Sequence, residues 1–191
     1  KMKKIYAGYN NSMSISVGGE CFIWGDGQSG QLCKHITIAD EPSLIEQLSG
    51  KEVIKGALGF NSCAVIIDTR LFMWGCNDNG KLGLDKDDQL LFKPEQVKID
   101  QVKSVSCGYE HTAAITHNGE LFTSGRGFYG QLGTGELMSS YEPKRVDSVD
   151  SKFVKVKCGL DQTVSIGKKG NVFIWGKSGY NLLGEANQHL K

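Results

Sequence analysis

Apolar residues along this chain fall in short runs separated by Gly, Asn and charged positions. The longest unbroken run, Cys63 to Ile67, is five residues, far short of the roughly 20 that span a bilayer. No stretch beyond about ten residues keeps a helical stripe; Ser43 to Leu48 is the only short helical candidate. Strand signals dominate instead. Cys107 to Ile115 is rich in small and β-branched residues, His117-Asn118-Gly119 offers a turn, and Glu120 to Gly125 follows. Asn-Gly between two apolar runs marks a β-hairpin, because Gly supplies the positive φ that a tight turn needs.

The same pattern returns every fifty residues. Phe22-Ile23-Trp24-Gly25, Phe72-Met73-Trp74-Gly75, Phe122-Thr123-Ser124-Gly125 and Phe173-Ile174-Trp175-Gly176 superimpose, and their closing glycines are 50, 50 and 51 residues apart. Upstream, Gly8, Gly59, Gly108 and Gly159 open stretches ending at Ile15, Ile66, Ile115 and Ile166. Downstream come Gly30-Gln31-Leu32, Gly80-Lys81-Leu82, Gly130-Gln131-Leu132 and Asn181-Leu182-Leu183, Asn being the best non-Gly residue at a left-handed position. Gly19, Gly119 and Gly170 mark the hairpin turn of copies one, three and four; copy two has Thr69 there, is one residue shorter, and should turn differently. The copies run about 1–33, 51–83, 101–133 and 152–184, and the stretches between them hold all three prolines, Pro42, Pro94 and Pro143. Each unit therefore reads as a small antiparallel sheet of about four strands, which must stack on its neighbours to cover its faces. A fifty-residue all-β unit favours a propeller over a solenoid.

Composition agrees. Gly is 25 of 191 residues, against a typical ~7%, yet Pro is only 3 and 39% of residues are hydrophobic, so many tight turns in a folded chain account for it. Lys+Arg 22 against Asp+Glu 21 leaves a net charge of +1, which argues against a broad grip on nucleic acid or an anionic membrane. The six Cys have no C-x-x-C spacing; neither a zinc site nor a redox motif is expected, and buried free thiols suit an intracellular compartment, cytoplasmic or nuclear.

From Gly108-Tyr109-Glu110-His111-Thr112 through Asn118-Gly119, Gly125 and Gly130-Gln131-Leu132-Gly133, the chain resembles the regulator of chromosome condensation repeat, in about four copies. Ser124 in place of Trp, Cys33 in place of a Gly, and His in copy three alone depart from the pattern. The tandem Gly-Gly of kelch repeats is missing. The resemblance implies an all-β propeller with about four of seven blades, completed by further blades or by another chain. Because the rings are equivalent between copies, Trp24, Trp74 and Trp175 are expected between blades, with Phe22, Phe72, Phe122 and Phe173 pointing the other way or filling the neighbouring layer, and His111 as a structural hydrogen-bonding group.

Three phosphate-binding patterns fail on context. Gly25-x-Gly27-x-x-Gly30 and Gly125-x-Gly127-x-x-Gly130 satisfy G-x-G-x-x-G, and Gly75-x4-Gly80-Lys81 nearly satisfies the P-loop pattern. No helix follows to present its N-terminus to a phosphate. No nucleophile, base and orienting group can be assembled into catalytic machinery, and no cofactor or metal is implied. What varies between copies is the turn after each closing Gly. Copies three and four carry Arg126, Phe128, Tyr129, Lys177 and Tyr180 there, where the others are small or polar. Basic and aromatic residues on loops of a rigid scaffold point to a partner-binding patch. The functional expectation is a non-catalytic module that binds a protein through its loops. The alternative, carried by the resemblance to the exchange factor for the GTPase Ran, is guanine-nucleotide exchange on a small GTPase. The hairpin that such a factor inserts in one blade has no room within these evenly spaced copies.

Overall fold

A computed structural model describes residues 1–177. The first sheet is β1 (Met2–Ala7), β2 (Asn11–Ser16), β3 (Cys21–Asp26) and β4 (Ile38–Leu44); the second is β5 (Val53–Leu58), β6 (Ser62–Ile67), β7 (Arg70–Cys76) and β8 (Leu90–Gln96). The third is β9 (Val102–Cys107), β10 (His111–Thr116), β11 (Leu121–Gly125) and β12 (Ser140–Arg145), and the fourth holds β13 (Phe153–Cys158), β14 (Gln162–Gly167) and β15 (Val172–Gly176). Each is an antiparallel meander with strands in chain order. Successive sheets pack face to face, β2 on β5, β6 on β9 and β10 on β13, while β1, β5, β9 and β13 run side by side at one common edge. That is propeller architecture: the first strand of each blade lines the axis, and β4, β8 and β12 form the rim. Among the described residues no strand of the first sheet packs extensively on the fourth.

Burial explains the strand sequences. All of β6 and β10 is buried, because both faces are covered by neighbouring blades. Small residues such as Ala64, Ala113 and Ala114 let the sheets approach there. The rim strands are mostly exposed and carry Pro42, Pro94 and Pro143, tolerated at an edge where a missing N–H leaves no ladder bond unmade. These strands lie in the stretches that the sequence leaves between its copies.

Local departures follow the repeat. A bulge interrupts the first pairing of every blade at the same point, between Met2 and Lys4, Val53 and Lys55, Val102 and Ser104, and Phe153 and Lys155. The shorter second hairpin turns on Asp68 with φ 56° instead of on a glycine. Cys33 adopts the left-handed φ (56°) that Gly83 and Gly133 take in the next copies, so the substitution keeps the turn at some strain. The helical candidate Ser43 to Leu48 resolves differently: Ser43 and Leu44 finish β4, and only Glu46–Leu48 forms a single 3-10 turn. Another such turn, Asp78–Gly80, was not expected. No α-helix occurs among the described residues, and no helix is long and apolar enough to cross a membrane.

Candidate functional site

The seams between blades come first, because they fix the loops. Trp74 is fully buried, and its indole N–H donates to the Gln31 carbonyl of the preceding blade at 2.7 Å; Trp175 does the same to Gln131 at 2.9 Å. Trp24, on the first blade, is half-buried. The seam between the second and third blades lacks a tryptophan. There Lys81 stands in the place of Gln31 and Gln131, fully buried, and its ammonium donates to the carbonyls of Phe60 (2.9 Å) and Tyr109 (3.4 Å). The glycine patterns are thereby accounted for. The amides of Ser29 and Tyr129 donate to the Gln31 and Gln131 side chains within their own turns, and Lys81 points inward. The Ser29 and Tyr129 amides are thus spent within their own turns.

His111 is buried and spans the third seam. The Thr163 hydroxyl donates to the Gln131 carbonyl (2.8 Å), so its oxygen accepts from His111 Nε2 (2.8 Å), which therefore carries a proton. Burial pulls its pKa down to about 4, against smaller opposing effects of Asp161 and of the Gln162 backbone. Nδ1 makes no hydrogen bond, so a proton placed there would have no acceptor. The unfolded chain, with an ordinary pKa of ~6.5, takes up a proton that the folded chain refuses, so stability falls as pH drops from 6.5 towards 4. Chemical denaturation at pH 7.5 and 4.5 should show the native protein losing ~2.5 kcal/mol more than His111→Gln, the residue that copy four carries at this position as Gln162. Equal losses in the two proteins would contradict this account.

The turn after β11 presents the predicted patch. The Arg126 guanidinium lies 5.7 Å from the Phe128 ring and 5.1 Å from that of Tyr129, and the Lys177 ammonium crosses from the fourth blade to within 4.7 Å of Tyr129. Both cations are braced by acids, Arg126 by Glu110 at 2.6 Å and Lys177 by Asp161 at 3.7 Å. Phe128 and Tyr129 keep 57% and 39% of their surface exposed. Four of the five candidate residues therefore meet on one face, and Tyr180 lies outside the described residues.

Sequence reasoning missed two extensions of this face. Leu137 and Met138, both about two-thirds exposed, fold over the same turn; the Met138 carbonyl occupies the space that a side chain on Gly127 would need. Nearer the axis, Tyr9, Phe60 and Tyr109 form a run of rings across three blades, with centroids 4.8 and 4.1 Å apart, and Leu160 stands at the fourth position. The available signal was a large apolar residue directly after Gly8, Gly59, Gly108 and Gly159.

Reactive chemistry finds no support on this face. Among the described residues no group of three or more His, Cys, Asp or Glu could hold a metal. All six cysteines are free, and burial pushes Cys21, Cys107 and Cys158 up to about 12, which disfavours their thiolates.

Comparison with known proteins places the chain. The model of the regulator of chromosome condensation (RCC1) repeat matches residues 68–115 and 118–166, and a second model of that repeat matches 102–131. The ultraviolet-B receptor UVR8 of Arabidopsis thaliana is 34% identical over 192 residues, which cover 96% of this chain and 43% of the receptor. The E3 ubiquitin-protein ligase HERC2 of Homo sapiens is 33% identical over 201 residues, all of this chain and 4% of the ligase. The chain thus spans less than half the length of either relative. Among solved structures, Prp20p of Saccharomyces cerevisiae, described with its binding to Gsp1p and histones, superimposes with a TM-score of 0.81 at 22% identity, over 92% of this chain and 45% of that one. At that identity the likeness concerns the fold.

Proposed function

The chain belongs to the regulator of chromosome condensation repeat family, and from that premise we propose that it is a non-catalytic propeller module that binds a partner protein through the loop face of its third and fourth blades. The observation that carries this reading is the exposed cluster of Phe128, Tyr129, Leu137 and Met138 around Arg126. Large rings and flexible apolar chains beside a guanidinium are the residue types that dominate interface energy. The scaffold behind them is rigid, so little ordering cost is incurred on binding.

A partner recovered by proximity labelling and then purified should bind the native protein at least tenfold more tightly than Phe128→Ser/Met138→Ser, with melting temperatures within ~2 °C because both side chains are exposed. Equal affinity for the two would remove the patch from the interface. The thiols suit a reducing compartment, cytoplasm or nucleus. Half-buried Trp24, beside fully buried Trp74, fits a ring completed by further blades or another chain.

The second reading is guanine-nucleotide exchange on a small GTPase, favoured by the fold shared with Prp20p, whose binding to Gsp1p is part of its description. Release of a fluorescent guanine nucleotide from a panel of preloaded GTPases separates the two readings. Acceleration with one GTPase would replace the passive-module reading; a flat panel with folded protein removes exchange by this segment.

A further inference from the structure

The four axial strands share a charge pattern that the loop face does not use. β1, β5, β9 and β13 carry Lys3, Lys4, Lys55, Lys103, Lys155 and Lys157, six of the chain's 22 basic residues, and none of its 21 acidic ones. No ion pair among the described residues involves any of the six. Lys4, Lys55 and Lys155 occupy one level of the propeller, each just past the shared bulge and paired to Ile15, Ile66 and Ile166 respectively. Two of these ammoniums are held in place. Lys4 donates to the Ile54 carbonyl on the next axial strand, and Lys55 donates to that of Lys103 at 2.7 Å. Each carbonyl engages one N–H of an ammonium that has three, so donors remain for a ligand on the axis.

We propose that these axial strands form a binding site for a compact multivalent oxyanion of the phosphate class. Three arguments converge. Among the described residues the lysines have no acidic partner, in a chain whose net charge is only +1, so positive charge is concentrated on the axial strands. Burial, then the charges of Lys3 and Lys55, lower the pKa of Lys4; among the described residues the repulsion has no counter-ion, and a bound anion would relieve it. The six positions fall within three residue steps of their strands, about 10 Å at ~3.3 Å per residue. That span matches a short phosphate chain, whereas an extended acidic peptide would need cations distributed over a longer path. Lys serves such ligands as a point charge with rotatable donors.

The probe is inorganic tripolyphosphate, titrated calorimetrically into the whole chain at low salt. One saturable site is expected, weakening about tenfold or more in Lys55→Gln and in Lys155→Gln, and weakening with added salt. Lys144→Gln on the rim should leave the affinity unchanged. The Lys155 side chain makes no hydrogen bond among the described residues, so its replacement tests the charge without disturbing a seam. Absence of saturable binding overturns the proposal, as does an affinity indifferent to both axial variants. Tighter binding of poly-glutamate than of tripolyphosphate overturns it in favour of an acidic peptide. Phe128→Ser/Met138→Ser should bind tripolyphosphate normally, which keeps this outcome separate from that of the loop-face reading.

Discussion

Trp74→Ala is expected to destabilise the protein by about 3–5 kcal/mol, measured by urea denaturation. The ring is fully buried at the seam between the first two blades, and its removal leaves a cavity that two sheets of fixed curvature cannot close. It also takes away the indole donor from the Gln31 carbonyl, which retains only the weak, long contact from the Cys63 thiol at 3.7 Å. Trp74→Phe separates the two contributions, since it fills most of the space but cannot donate; a loss of about 1–3 kcal/mol is expected from the buried carbonyl alone. Trp24→Ala should cost less than Trp74→Ala, because Trp24 is only half-buried. A loss below 1 kcal/mol for Trp74→Ala would mean that the seams do not depend on the tryptophans. The third blade is a natural version of the experiment. Ser124 takes the ring's place there, and Lys81 reaches across with donors to Phe60 and Tyr109, one in each blade.

That exchange shows what a sequence reveals and what it hides. The propeller was legible because fifty-residue periodicity repeats one set of local demands: a glycine at each closing turn, a tryptophan before it in three copies of four, and a Gly-x-Leu turn after it in the first three. The patch was legible where it is local. Arg126, Phe128 and Tyr129 are neighbours in the chain, and Lys177 occupies the equivalent turn of the next copy. Leu137 and Met138 were missed because their loop varies in length between copies and has no register to read. The run of Tyr9, Phe60 and Tyr109 exists only once blades stack, since its members are about fifty residues apart. The axial lysines were hidden twice. One by one they look like an ordinary solvated face, and the net charge of +1 sums over a rim and loops that are rich in acids. The expected helix at Ser43 to Leu48 failed because its first residues are needed as ladder partners, with Ser43 opposite Ile23 and Leu44 opposite Phe22. Pairing overrode local propensity.

Gly75→Ala should be nearly as damaging as loss of the tryptophan beside it, although it adds a single methyl group. Gly75 has φ 100°, a region that L-residues rarely enter, and the same holds for Gly25 (102°), Gly125 (108°) and Gly176 (113°). Strain of that kind costs about 1–3 kcal/mol. Space is short as well. A β-carbon on Gly75 would lie 2.4 Å from the Asn61 carbonyl oxygen; the counterpart contacts are Asn10 at 2.4 Å, Glu110 at 2.3 Å and Asp161 at 2.2 Å. The obstacle is backbone, which cannot swing aside as a side chain would, and overpacking adds a further ~1–3 kcal/mol. Together these give about 2–6 kcal/mol, to be read as a shift of the urea midpoint at unchanged slope. Gly170→Ala is the control. Gly170 has φ 88° but nothing within 4 Å of a new β-carbon, so it should show only the strain. If the two variants lost the same stability, the carbonyl contact would not be what fixes glycine at the closing position of every blade. The contact carries a functional consequence too. It holds the chain where β7 ends close to the start of β6, and the equivalent contact at Gly125 sets the direction in which Arg126, Phe128 and Tyr129 leave the sheet.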